Sequence, residues 1–411
     1  MITSRLPSRF WLPVAIGAVV CCQQASDSGT PTIRDSLGIT VIDYPVAFDQ
    51  LPGLEWSTDP EPIFSYQDST TELYGVRTAA FQSGGDVVIA NGGSRQLLFV
   101  NKAGSLRAHV GRAGGGPGEF QQLTSMSVGP ADSVYAYDGR AHRLSIFDPA
   151  GTYVRSVTLE GLDTPGTLED VGILQTGQLA ASLRRHAQGS GLLRDSLAVA
   201  VLDGTGVRER VLAVFPHLYL DWGPHPIPGG QGTATFPLPV PLSGVTALAA
   251  ADSTIYVALP DESAIVRLDS SGPRRVTRAP LPTHTITPAE RDRFFASLRA
   301  GRLDPRELDA LRAIRGPDVR PAFGTEPLTA KLGEVDLVVS DSGAVWLRPF
   351  RLPGDSGGAW MRLGPEGYYQ GKVTLPSTFR PTAVQRDLVL GVQRDSLDVE
   401  HVRAYRIRPG H

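Results

Sequence analysis

A six-bladed, all-β propeller with four-stranded blades is the fold that this 411-residue sequence predicts, and three observations carry it. A unit of apolar strand, Asp/Gly/Ser turn, alternating strand, polar loop and third strand recurs six times along the chain. Its second strands begin near Asp86, Asp132, Gly177, Asp252, Gly343 and Asp387, so three of the five intervals are 44–46 residues, the length of one blade. Many of these strands are apolar on both faces, as strands must be when each sheet is covered by a neighbour on either side.

In chain order, Arg5 and Arg9 precede an apolar run from Phe10 to Val20 that is too short to span a bilayer. This is the outline of a signal peptide over residues 1–21. Its end, VVCC before QQ, resembles a bacterial lipoprotein signal, and the resemblance implies that Cys22 carries the lipid; an ordinary secreted protein or a single anchor helix is the alternative. Cleavage there removes Arg5 and Arg9 and takes the formal charge from −3 to −5. It leaves no free thiol, because Cys21 and Cys22 are the only cysteines, and so excludes thiolate catalysis, thiolate metal sites and internal disulfides. Residues 22–36 read as a polar tether and residues 37–411 as the propeller, with insertions at 216–242 and 282–332.

The clearest copy of the repeat is TSMSVGPADSVYAYDGRAHRLSIFDPAGTYVRSVTLE from Thr124, which aligns with RTAAFQSGGDVVIANGGSRQLLFVNKAGSLRAHVG from Arg77. The Asp-Ser pairs at Asp132, Asp252 and Asp341 read as hairpin turns, which account for each aspartate without a calcium ion. The last copy ends at Ile407 with three strands. An N-terminal strand, either ITVIDY (Ile39–Tyr44) or PEPIFSY (Pro60–Tyr66), is expected to complete it and close the ring, removing the exposed edges of an open array.

GRAGGGPGEF (Gly111–Phe120), followed by DSVYAYD and RLSIFDPAG, resembles the NHL-type repeat of six-bladed propellers. The chain as a whole is similar to bacterial six-bladed β-propeller lipoproteins of unknown function that share the TolB-like propeller fold. That resemblance implies a fold and a place in the bacterial cell envelope, lipid-anchored on the outer-membrane or periplasmic side, with secretion as the alternative. It implies no activity.

The long intervals fall in connections from an outer strand to the next inner strand, at Pro216–Leu242 and Pro282–Leu332, and the Gly-rich Arg112–Glu119 loop is a third such connection. In a propeller these gather on one face. Thr287, Pro288 and Glu290 form a capping box ahead of Phe294, Phe295 and Leu298, and Asp304, Pro305 and Glu307 repeat it ahead of Leu308, Leu311 and Ile314. One helical insertion inside an all-β chain is therefore expected, as a ligand lid, a docking surface or a plug for the channel.

Motifs for chemistry do not assemble. GDSGG (Gly354–Gly358) matches the nucleophile sequence of chymotrypsin-like proteases but sits in a blade loop without that family's histidine setting, and GRAGGGPGEF lacks the Lys-Ser/Thr of a P-loop. With a charge of −3 and only Lys102, Lys331 and Lys372 as lysines, nothing attracts nucleic acid or anionic lipid. Loop arginines on the elaborated face, Arg95, Arg112, Arg140 and Arg185, form a candidate basic ring for carboxylates or sugar acids, with Glu119 and His142 beside them and Trp222 as an apolar platform. Asn91, Asp138, His142, Glu119, His186, His217, Asp221 and His225 are weak metal candidates, each explained better by a turn or solvation. The primary reading is a non-enzymatic module that binds a protein, peptide or small ligand, with no cofactor. The alternative is a metal-dependent hydrolase or lyase of the lactonase-like propeller type, with Ca²⁺ or Zn²⁺ at the channel mouth.

Overall fold

The computed structural model describes residues 29–66, 71–159, 166–206, 208–228, 230–300, 305–324, 328, 337–352, 355, 358–376 and 378–410. The signal segment with Cys22, and Gly354, Ser356 and Gly357 of the GDSGG run, lie outside these residues. Four N-terminal strands come first: β1 (Thr32–Ser36), β2 (Ile39–Asp43), β3 (Leu54–Thr58) and β4 (Phe64–Ser65). Two regular antiparallel sheets follow, β5 (Val76–Phe81), β6 (Val87–Asn91), β7 (Gln96–Val100), β8 (Leu106–Val110), and then β9 (Leu123–Val128), β10 (Val134–Asp138), β11 (Arg143–Phe147), β12 (Tyr153–Thr158). A larger sheet holds β13 (Thr167–Ile173), β14 (Leu179–Arg185), β15 (Gly191–Leu202), β16 (Arg208–Pro226) and β17 (Thr233–Pro239). The next holds β18 (Ala247–Ala251), β19 (Thr254–Leu259), β20 (Ala264–Asp269) and β21 (Gly272–Arg278). Helices α1 (Pro288–Ala300) and α2 (Pro305–Ala313) precede β22 (Leu337–Val339), β23 (Val345–Leu347), β24 (Ala359–Leu363) and β25 (Tyr369–Thr374). The chain ends with β26 (Phe379–Gln385), β27 (Leu388–Arg394) and β28 (Glu400–Pro409).

The inner strands β5, β9, β13, β18, β22 and β26 neighbour one another in that order, and β26 returns to β5. This is the radial arrangement of a β-propeller. Its cores lie between sheets: Ala90, Leu97 and Phe99 meet Phe120, Met126 and Ala136, while Ile89 and Leu98 on the other face of the same sheet meet Leu390 and Val402. Strands apolar on both faces are therefore used on both, each fully buried Leu or Phe contributing about 1.5–3 kcal/mol of transfer free energy. The turn aspartates fasten neighbouring sheets at the far end of the inner strands. Asp132, held at φ 58°, accepts the Ser83 N–H at 2.8 Å and the Ser83 hydroxyl at 2.6 Å, and Asp341 accepts the Arg386 N–H at 3.1 Å.

PEPIFSY supplies the closing strand, since β4 pairs with β28 through Phe64↔Ala404 and Ser65↔Arg403. ITVIDY does something else: β2 adds in parallel to the outside of β21 (Val41↔Val276), with β1 beyond it. β3 then runs parallel to β25 on one side and antiparallel to the end of β28 on the other. The N-terminal segment is thus a belt across the outer edges of three successive sheets, and Thr32–Ser36, expected in the tether, is part of it. Close approach requires Gly371, whose φ of 139° suits glycine and where a methyl group would collide with the Leu54 carbonyl oxygen.

Two expectations about the third sheet need correcting. It has five strands rather than four, and 216–242 is not an irregular loop but the far half of β16 hairpinned to β17, pairing from Leu220↔Pro239 to Pro226↔Thr233. The prolines that suggested a loop are tolerated because β17 is an edge strand and β16 has outrun β15 beyond Trp222, leaving a free side where a missing N–H costs nothing.

Candidate functional site

Antiparallel pairing sets Val76 beside Asn91, Leu123 beside Asp138 and Leu168 beside Leu183, so the starts of inner strands share one end of the molecule with the loops after β6, β10 and β14. At this end the inner strand carries a one-residue bulge in several sheets. The register skips Arg77, Thr124 and Glu169 at equivalent positions, and Thr382 one place along. A bulge turns the extra residue out of the ladder. All four line the central cavity, which has a volume of about 380 Å³. Beneath them the Ser125 hydroxyl donates to Asp170 at 2.6 Å; burial pushes the Asp170 carboxyl up, against the hydrogen bonds it accepts from Ser125 and the Val171 N–H.

Glu169 is the anchor of an ion network reaching from the channel to the β16–β17 hairpin. Its burial favours the neutral acid, but His217 at 3.4 Å and Arg184 at 3.6 Å outweigh that and hold it below the usual carboxylate range. Arg184 also donates to Asp195 at 2.7 Å, and His186 lies 3.1 Å from the same carboxylate. Asp195 is fully buried yet held low by the Ala187 N–H and Arg184. Arg194 stacks over Tyr219 of β16 at 4.5 Å and reaches Asp261 at 3.3 Å.

The candidates from sequence divide by what holds them. Asn91 and Asp138 are fully buried and occupy the same place in their repeats. Asn91 accepts the Tyr74 N–H at 2.9 Å and donates to the Glu72 carbonyl at 2.9 Å. Asp138 accepts four backbone N–H groups, those of Gln121, Gln122, Arg140 and Ala141, at 2.6–3.1 Å. They are clasps for the incoming connection, and their lone pairs are committed to it. Glu119 accepts the Gly116 N–H at 2.8 Å and pairs with Arg112, which keeps its carboxyl ionised; Arg143 ties down the same Gly-rich loop through three carbonyls. His142, at φ 45°, meets the Tyr137 hydroxyl at 3.3 Å. His225 packs on Phe236 and lies 3.0 Å from the Asp221 carbonyl oxygen. Trp222 is half-buried in β16, and Arg95 and Arg140 are exposed loop residues. Arg95, Arg112, Arg140 and Arg185 do not line the central cavity or the cleft next to it. Among the described residues, no three His, Cys, Asp or Glu side chains converge in a way that could hold a metal ion.

That neighbouring cleft is the concentration of charge that sequence reasoning missed. Arg77, Arg348, Arg351, Arg380 and Arg394 line a cavity of about 340 Å³ with Glu400 the single carboxylate among its walls. Arg348 and Arg351 come from the β23–β24 loop, Arg380 from β26, Arg394 from β27, and Arg77 from the bulge of β5. They are 303 residues apart between Arg77 and Arg380, and only ring closure brings them together.

The helices sit at the same end. The Glu290 carboxylate accepts the Thr287 N–H at 2.8 Å and the Thr287 hydroxyl at 2.9 Å, the predicted capping box, and Glu290 is also bound by His284 and Arg320. Phe294, Phe295, Leu298, Leu308, Leu311 and Ile314 pack with Val240 and Leu242 after β17 and with Phe350 and Leu352 of the β23–β24 loop. Both insertions thus share one apolar core, a cap beside the channel mouth.

No family model and no curated protein matches the chain. Among solved structures, a member of the DUF4221 family from Bacteroides vulgatus aligns with a TM-score of 0.50 and 10% identity, over 87% of this chain and 99% of that one. Regucalcin from Agrobacterium tumefaciens, a calcium-binding protein, aligns with a TM-score of 0.41 and 13% identity over 87% and 97%. A virginiamycin B lyase from Staphylococcus aureus aligns with a TM-score of 0.41 and 10% identity over 83% and 97%. At these identities the likeness speaks to fold alone.

Proposed function

We propose that this chain is a six-bladed propeller of the bacterial cell envelope, anchored through a lipid on Cys22, that binds a ligand on its loop-elaborated face. Its relation to NHL-like and TolB-like propeller lipoproteins is part of the same reading. The observation that supports binding is the cap: two separate insertions, 216–242 and 282–332, meet in one apolar core at the end where the inner-strand bulges open the channel and the arginines gather. Elaboration of one end of a propeller, with polar side chains turned out of the ladder there, is how a repetitive scaffold acquires a site. Among the described residues, the groups assembled there are hydrogen-bond and ion-pair partners of one another.

Hydrogen exchange on the full-length protein, with a panel of metabolites and peptides, tests the reading. Ligand protection should map to loops 92–95, 111–120, 186–190 and 348–352 and spare the turns at 82–86 and 130–133; protection at those turns instead overturns it. Cys22→Ser should move the protein from the membrane fraction to the soluble fraction, and retention in the membrane defeats the lipid anchor.

A further inference from the structure

The N-terminal belt leaves large apolar side chains in solvent at one end of the molecule. Ser36 pairs with Ile39, so β1 and β2 are joined by a two-residue turn, Leu37–Gly38, with φ of 56° and 81°. Such a turn favours Asn, Asp or Gly at its first position, because a bulky side chain is crowded at positive φ. Leu37 stands there 89% exposed, more than any other large apolar residue among those described. Leu242, the other leucine at positive φ, is fully buried in the core of the cap, where packing offsets the crowding. Leu37 has no such cover.

The register gathers further apolar residues at the same end. As fourth strands, β21 and β25 run toward the capped end, so their starts lie at the opposite one. β2 is parallel to β21 and β3 to β25, which puts the Leu37 turn and Leu54, 64% exposed, at that opposite end. Tyr368, 41% exposed, stands in the turn that opens β25. Gly53 lies against the backbone of Gln370 and Gly371, and Arg275, the partner of Thr40, donates to the Pro365 carbonyl of the Tyr368 turn at 2.7 Å. One exposed leucine is ordinary; three large apolar residues on adjoining turns make a surface.

The chain enters the structure beside this surface. A methyl group on Gly29 would stand 3.1 Å from Pro52, two residues ahead of Leu54. Cys22 is seven residues before Gly29, a stretch that spans at most about 25 Å. A lipid on Cys22 would hold this end of the molecule within that reach of the bilayer.

We infer that the belt end rests on the bilayer, with Leu37, Leu54 and Tyr368 in its interfacial layer, and that the capped channel mouth faces away from the membrane. Apolar tips gain by leaving water for the acyl boundary, and the anchor supplies the proximity that so small a surface needs. Arg34 and Arg278 both pair with Asp43, and Glu366 is exposed beside Tyr368, so the contact is apolar and does not draw on anionic headgroups. The inference rests on the lipid anchor proposed above and adds the orientation of the molecule to it.

Hydrogen exchange tests it on the full-length protein, recovered with its anchor from a bacterial membrane and reconstituted in phosphatidylethanolamine–phosphatidylcholine vesicles, against the unanchored Cys22→Ser protein. Amides in 35–39, 53–55 and 366–368 should exchange at least tenfold more slowly on vesicles, with loops 92–95 and 186–190 unchanged. Added phosphatidylglycerol or NaCl should make no difference. Leu37→Asn installs the favoured Asn-Gly pair, so it should melt no lower than the parent protein and yet lose the protection of 35–39. Anchored protein whose belt turns exchange as in Cys22→Ser, protection of the elaborated loops instead, or full protection in Leu37→Asn overturns the inference and leaves the anchor standing. Parent protein found only in the soluble fraction, or Cys22→Ser retained in the membrane fraction, removes the lipid anchor and the inference with it.

Discussion

The sheets β5–β8 and β9–β12 and the cap built on β15–β17 and the two helices solve the same problem by different means. In the two regular sheets the incoming connection is held by one side chain at a fixed repeat position, Asn91 in one and Asp138 in the other. In the next sheet that position is Leu183, and charge takes over: Arg184, His186 and Asp195 hold one another, and Glu169 ties them to His217 on β16. A repeat can be fastened by one well-placed backbone clasp; an insertion outside the repeat must bring its own core, which Phe294 and its neighbours provide.

The largest expected effect separates the two regions. Phe294→Ala removes a fully buried ring and should cost about 3–5 kcal/mol by urea unfolding. Hydrogen exchange should show the loss confined to 216–242 and 285–314, with β5–β12 still protected; an even loss throughout the ring would mean that cap and ring are one cooperative unit. Within the regular sheets, Asp138→Ala strands four N–H donors and should cost about 2–4 kcal/mol, whereas Asn91→Ala, with two bonds to lose, should cost about 1–2 kcal/mol. Reversal of that order would break the equivalence of the two clasps.

The smallest effect is one of pH. The Thr287 N–H first, then the Thr287 hydroxyl, His284 and Arg320, lower the Glu290 carboxyl from its ordinary 4.5 to about 2. A carboxyl with a depressed folded-state pKa stabilises the fold fully above its unfolded value. That contribution fades as pH falls from about 4.5 towards 2. Glu290→Gln should flatten the acid limb of cap stability in that window and leave the regular sheets' acid behaviour unchanged; an unaltered acid limb would show that the capping box does not hold the cap.

Much of the fold was legible. Strand alternation and the 44–46-residue intervals located the regular sheets, because a sheet packed on both faces has to be apolar on both. The capping box at Thr287–Glu290 and the apolar faces of α1 and α2 were readable because helix caps and helical periodicity are local. What failed was local inference applied where the partner is distant. Prolines at 224, 226, 237 and 239 read as a loop, since nothing in the sequence reveals that these strands have a free edge. ITVIDY was an equally good closing strand by pattern, and pairing with β21 was decided by where the chain could reach. Of the site, the loop arginines chosen from the first three repeats were plausible singly. The cleft draws instead on Arg77, Arg348, Arg351, Arg380 and Arg394, each ordinary in its own stretch of sequence.

By itself, the sequence determined the repeat, the two-faced strands, the two helices with the capping box of α1, and the turn aspartates, because each depends on residues within one hairpin or one helical turn of each other; the second expected cap, at Asp304, lies outside the described residues. The tertiary structure alone decided the belt of β1–β4, the union of both insertions in one core and the meeting of five arginines beside the channel. Those depend on closing the ring, an event that brings Arg77 against Arg380 and that no local pattern encodes.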